Sequence, residues 1–229
     1  MSDVRTPMLG RGDQAAGLRR MMHKPKPRIV ALLSAPDDQL DIADNLVFSL
    51  RAQAVNVQWL RSDAWQAADP AEVGQQLQQL ASQHDLLLVD LADSAVLASK
   101  HLQDVTVLLP LGPGAEGIKQ AYSQIKAIYS RQGGQPFGVV VHGMSPQRAQ
   151  QAFKTLADVA HRYLRLQIEL FGVIPVDQHL QLAAQSGRAV QEAFPLALAS
   201  RAFRELAQRL IGDATLTTLP HAAFAAVAA

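Results

Sequence analysis

Few residues in this chain could do chemistry. It has no Cys, which excludes thiolate catalysis, disulfides, Cys-ligated zinc and iron–sulfur clusters, and a reducing, cytoplasmic location is expected. The seven His are scattered, with no His-x-x-x-His pair and no His–carboxylate group at metal-ligand spacing, so no metal is expected. Neither Ser34 nor Ser145 sits in a Gly-x-Ser-x-Gly elbow. Carboxylates remain. Ser34-Ala-Pro-Asp37-Asp38-Gln-Leu-Asp41 follows the apolar run Ile29–Leu33. A phosphate cradle there needs glycines whose amides turn inward, and a lysine to meet the charge. No Gly occurs between Gly17 and Gly74, and no Lys between Lys26 and Lys100. Asp37, Asp38 and Asp41 repel phosphate and are expected instead to cap the next helix. Asp90 closes the run Leu86–Val89 and is expected to cap the turn after it. His142, at the end of another apolar run, reads as a satisfied polar group.

The elements that position these residues alternate along the chain. Apolar, β-branched runs at Ile29–Leu33, Val55–Leu60, Leu86–Leu91, Val105–Leu109, Phe137–Val141 and Leu170–Ile174 predict strands. Helical periodicity predicts helices at 40–53, 70–83, 114–131, 146–165, 178–192 and 196–211. Short strands apolar on both faces, alternating with amphipathic helices, predict a mostly parallel α/β sheet flanked by helices on both faces. One such domain is expected at 28–212, with a flexible segment at 1–27 before it and a frayed tail at 213–229. No run reaches the ~18–20 apolar residues of a membrane span, and no signal-peptide core follows the basic start.

That start is distinctive in charge. Residues 1–28 hold seven Arg or Lys against Asp3 and Asp13, while the whole chain is only +1, so the body is mildly acidic. Within the basic arm, Asp13 can cap a short helix at 13–22 that places Ala15, Leu18 and Met22 on one face. Lys24-Pro25-Lys26-Pro27 then forms a linker, because each Pro disfavours helix at the residue before it.

Two sets of residues resemble one family. Gly172-Val-Ile-Pro175-Val-Asp177, then Ala183-Ala-Gln-Ser-Gly187-Arg-Ala-Val190 and Phe194-Pro-Leu-Ala197, resemble the C-terminal signature of MinD/ParA-type ATPases. Leu86–Asp90 resembles that family's strand ending in the Asp on the Mg²⁺ side, and Val105–Pro110 resembles its next strand. The likeness covers most of 28–211 and implies a MinD-like fold. Asp13-Gln14-Ala15-Ala-Gly-Leu18-Arg19, followed by Arg20, is similar to the D-Q-A-x-x-L-R segment of the flagellar FlhG/FleN-type subgroup. The resemblance implies that this helix stimulates the signal-recognition-type flagellar GTPase FlhF.

The sequence departs from the family at three parts of one nucleotide site. Ser34–Asp41, with Asp37 and Asp38, stands where the family has its deviant Walker A loop. Arg61-Ser62-Asp63 stands for an Asp-x-Asp, and His142 for the Asn that contacts adenine in relatives. With the loop gone, Asp90 marks a site no longer used. The expectation is therefore a regulator without catalysis or cofactor of its own, whose partner is an FlhF-like GTPase. A second MinD-like subunit is a further candidate partner. No nucleic-acid contact is expected, and membrane contact is at most peripheral, because His221–Ala229 lacks a basic face. Two other readings stay open: an active ATPase switch, and a scaffold that pairs with an intact MinD-like ATPase.

Overall fold

The computed structural model describes residues 28–33, 41–61, 69–90, 105–132 and 136–212. The 13–22 helix, the Lys24–Pro27 linker, the tail, and Asp37, Asp38 and Asp63 lie outside the described residues. The elements are β1 (Arg28–Leu32), α1 (Ile42–Arg51), β2 (Val57–Leu60), α2 (Pro70–Ala81), β3 (Leu86–Asp90), β4 (Thr106–Leu111), α3 (Gly114–Gln132), β5 (Phe137–His142), α4 (Pro146–Leu164), β6 (Glu169–Ile174), α5 (Gln178–Gln185), α6 (Val190–Ala193) and α7 (Leu198–Gly212). All six expected strands are present, with ends shifted by at most two residues.

The strands form one sheet in the order β2-β3-β1-β4-β5-β6, and every pairing is parallel. Alternate residues of each strand point to opposite faces, so two cores form. On one face Ala31, Leu87, Val107, Leu109, Val139 and Val141 meet Val73 and Leu77 of α2, Ile125 and Ile128 of α3, and Leu156 of α4. On the other, Val30, Leu32, Leu88, Leu108 and Phe171 meet Leu46 and Leu50 of α1 with Phe203, Leu206 and Leu210 of α7. Helix α7 rides close to the sheet because position 172 is glycine: a Cβ there would lie 2.4 Å from Leu206 Cδ2.

The single helix expected at 178–192 is two. Gly187 takes a left-handed φ of 64°. Its N–H donates to Ala184 O, and that of Arg188 donates to Ala183 O, both at 3.0 Å. This is the bond pair of a Schellman stop, and the glycine lets it form without a Cβ clash. Helix α1 ends in the same way on a non-glycine residue. Ala54, at φ 60°, donates to Arg51 O, and Val55 donates to Leu50 O.

Candidate functional site

In a parallel sheet a ligand crevice opens beyond the C-terminal strand ends, where successive connections leave in opposite directions. Here that point is β1, which lies between β3 and β4. Asp90 pairs with Leu32 across the β1–β3 ladder and so stands at this point. Its Oδ1 is buried with no hydrogen-bond partner, and the turn it is expected to cap lies outside the described residues.

Asp41 is corrected. It occupies the N-cap position of α1, but its side chain makes no cap bond. Its backbone is left-handed, with φ 44° and ψ 47°, whereas an N-cap side chain reaches the N2 and N3 amides from an extended backbone. Its carbonyl is used instead, accepting from Asn45 N at 3.0 Å and Asn45 Nδ2 at 3.0 Å. Asp44, in the first turn, has its carboxyl pushed above the ordinary range, first by burial and then by the charge of Asp41, with Arg61 pulling the other way. Asp41, Asp44 and Arg61 thus share one electrostatic neighbourhood. The Arg61 that departs from the family pattern offsets part of this negative charge.

His142 stands elsewhere. It ends β5, half-buried, with its ring across from Gly112: a Cβ on Gly112 would lie 3.5 Å from His142 Cε1. It is engaged by its surroundings. Three strand spacings, about 14 Å, separate the ends of β3 and β5, so Asp90 and His142 do not form an acid–base pair. Among the described residues no group of His, Asp and Glu could hold a metal ion.

Pro175-Val176-Asp177 has a function that periodicity alone does not show. Asp177 Oδ1 accepts from His179 N and His179 Nδ1, each at 2.9 Å, and Oδ2 accepts from Ala199 N at 2.9 Å. Burial of this carboxylate would raise its pKa. The bonds from Ala199 and His179 outweigh that effect and hold it below the ordinary carboxylate value. One side chain therefore fastens the start of α5 to the start of α7, and the His179 ring rests 4.8 Å from that of Phe194. The Ala189-Val190 signature is anchored similarly: Val190 N donates to Asn45 Oδ1 at 2.7 Å, and Ser49 Oγ donates to Gln191 Oε1 at 2.6 Å. Both signature pieces join helices on one face of the sheet.

A groove of about 670 Å³ opens beyond β5 and β6, between the first turns of α3 and α4. Ile118, Met144, Ala152 and Val176 form apolar walls, and Ser145 and Arg148 bring polar groups. The strand-end positions singled out in the sequence do not line it. Its sequence signal is the glycine pattern that follows β4, a different loop from the one after β1.

No family model matches the chain. Over 131 residues it is 36% identical to the antiactivator FleN of Pseudomonas aeruginosa, a match covering 55% of this chain and 46% of FleN. The matched region is thus about half the length of that curated relative. Among solved structures it resembles the MinD cell division protein of Aquifex aeolicus, with a TM-score of 0.61 and 14% identity over 81% of this chain and 97% of that one. It also resembles the septum site-determining protein MinD of Pyrococcus horikoshii complexed with Mg-ADP, with a TM-score of 0.59 and 13% identity over 84% and 99%. Those two likenesses establish the fold. The sequence likeness is the partial match to FleN, and the fold is that of the MinD structures.

Proposed function

We propose that this chain is a non-catalytic MinD-like regulator of flagellar biosynthesis, acting on an FlhF-like GTPase through the Asp13–Arg20 helix. One observation carries the proposal: an intact D-Q-A-x-x-L-R segment stands in front of a MinD-like body whose first loop has lost every glycine and lysine. Kinship with FleN, named an antiactivator, supports a regulatory function exerted on protein partners.

The chemistry of phosphoryl transfer says what such a helix can add. Hydrolysis needs an oriented water and positive charge near the transition state. Gln14 orients the water, Arg19 or Arg20 faces phosphate or acidic side chains, and Leu18 and Met22 hold the helix by apolar contact. The body's own site does no such work, because Asp37, Asp38 and Asp41 stand where phosphate amides and lysines are needed.

Two assays test the reading. The purified chain should hydrolyse no ATP, and Mg²⁺ should not raise its melting temperature in the presence of ATP. A site filled to a hundred times its Kd would add about 2.7 kcal/mol, so a Mg²⁺-dependent rise of that size supports an active ATPase instead. The chain should also capture the GTP-bound partner GTPase and lose it on Leu18→Asp. Capture of a MinD-like ATPase in its place supports the scaffold reading.

A further inference from the structure

Charge is spread unevenly over the body. Residues 29–113 hold eleven Asp or Glu against three Lys or Arg, whereas residues 114–165 hold seven Lys or Arg against Glu116 and Asp158. The basic excess falls on one layer. Helices α3 and α4 pack side by side over one face of the β4–β5–β6 half of the sheet. Lys119 and Lys126, seven residues apart, share one side of α3, and Lys154, Arg162 and Arg165 share one side of α4 and its C-cap. All five are exposed, as is Arg148 in the first turn of α4. Lys119 pairs with Glu116 at 3.3 Å, but Lys126, Arg148, Lys154, Arg162 and Arg165 have no ion-pair partner among the described residues. The helical rise spreads these groups over about 25 Å from Arg148 to Arg165, across two helices whose axes lie about 8–10 Å apart. This is a broad basic face.

Its complement lies at the other half of the sheet. Asp41 and Asp44 stand at the start of α1, and Asp69 and Glu72 at the start of α2, beyond the C-terminal ends of β1 and β2. All four are exposed, and Arg61, just after β2, offsets part of their charge. Four strand spacings, about 19 Å, separate β2 from β5. That is about two Debye lengths at 0.1 M salt, so the two faces do little to neutralise each other within one chain. Elsewhere the charges are balanced locally: Arg188, Arg201 and Arg209 are paired with Glu192, Glu205 and Glu169.

We infer that the α3–α4 face is a docking surface for a second copy of this chain, which is seated on it by the acidic starts of its α1 and α2. Each copy carries both complementary faces, and they can meet only across two molecules. The contact joins two different patches, so it is head-to-tail and leaves one face free at each end, which makes the association open-ended. Exposed ion pairs are individually weak and screened by salt, so the association is modest and salt-dependent. It needs no nucleotide and stands independently of the N-terminal helix.

Sedimentation of the full-length protein over a concentration series tests the inference. At about 20 mM salt, where screening sets in only beyond about 20 Å, the mean mass should grow with concentration, with a Kd of roughly 10–100 µM per contact. At about 0.5 M salt the chain should sediment as a monomer. The surface variants Lys126→Glu/Lys154→Glu and Asp44→Lys/Glu72→Lys should each abolish the growth at low salt. Mixing the two should restore a complex, because the first supplies the acidic end and the second the basic face. A chain that stays monomeric at low salt overturns the inference, as does association indifferent to salt or a mixture of the two variants that does not associate. Self-association that survives Lys126→Glu/Lys154→Glu and is lost on Arg19→Glu/Arg20→Glu also overturns it, because that seats the basic N-terminal arm on the acidic end. Binding of anionic vesicles or duplex DNA in place of self-association assigns the face to another partner and overturns it as well.

Discussion

Asp177 shows how one side chain can carry a signature. Its carboxylate accepts three bonds and is 6% exposed, so removing it strands the N–H groups of His179 and Ala199. Asp177→Ala should cost about 2–3 kcal/mol in urea unfolding at neutral pH, the range for bonds to a charged acceptor plus unpaired donors. The pH dependence follows from the direction of its shift. A carboxyl held below its ordinary pKa in the folded state contributes stability above that ordinary value and loses it as the pH falls through the folded value. The stability gap between wild type and Asp177→Asn should therefore be widest near neutrality and narrow below about pH 4. A gap that stays constant from pH 7 to the acid limb would contradict this account. In the sequence, Asp two residues before His179 at a helix start is a readable cap. The bond to Ala199 spans 22 residues, and nothing local announces it. For the same reason the carboxylates of Asp41 and Asp90 are legible as residues but not in their geometry: a left-handed backbone and a buried, unpartnered oxygen follow from the packing around them.

Among the elements, helix ends were the hardest to read. The periodicity of 178–192 continues through the Schellman stop at Gly187, since Leu180, Ala183 and Val190 are buried on both sides of the break. Periodicity reports which residues face the core, and it is silent on a turn that keeps them facing it. The glycine was the available clue. The corresponding stop after α1 uses Ala54 in the left-handed region, where a Cβ costs energy. Ala54→Gly should raise stability by about 0.5–1 kcal/mol and Ala54→Val should lower it, measured by chemical denaturation. At the sheet's β6 edge, Arg209 of α7 donates to Leu170 O at 2.7 Å and Phe171 O at 3.0 Å, pairs with Glu169, and lies 5.0 Å from the centre of the Phe171 ring. Those contacts cover an edge that would otherwise offer carbonyls to another chain. Arg209→Ala should cost about 1–3 kcal/mol and increase aggregation on heating, seen by light scattering.

At the scale of the whole molecule the fold was legible because parallel strands are buried on both faces. Six apolar runs alternating with amphipathic helices leave little choice but a covered parallel sheet. The order β2-β3-β1-β4-β5-β6 was not in the periodicity, which marks buried residues and not which strand lies beside which. In the proposed function, a body whose sequence after β1 lacks Gly and Lys follows an N-terminal segment expected to act on a partner. The most direct test measures GTP hydrolysis by an FlhF-like GTPase with the full chain, with a peptide of residues 1–24, and with Gln14→Ala in each. The account predicts that chain and peptide both raise the rate, and that Gln14→Ala removes the stimulation while partner affinity changes little. That pattern marks an interaction made only in the transition state. A rate left unchanged by both the full chain and the peptide would contradict it.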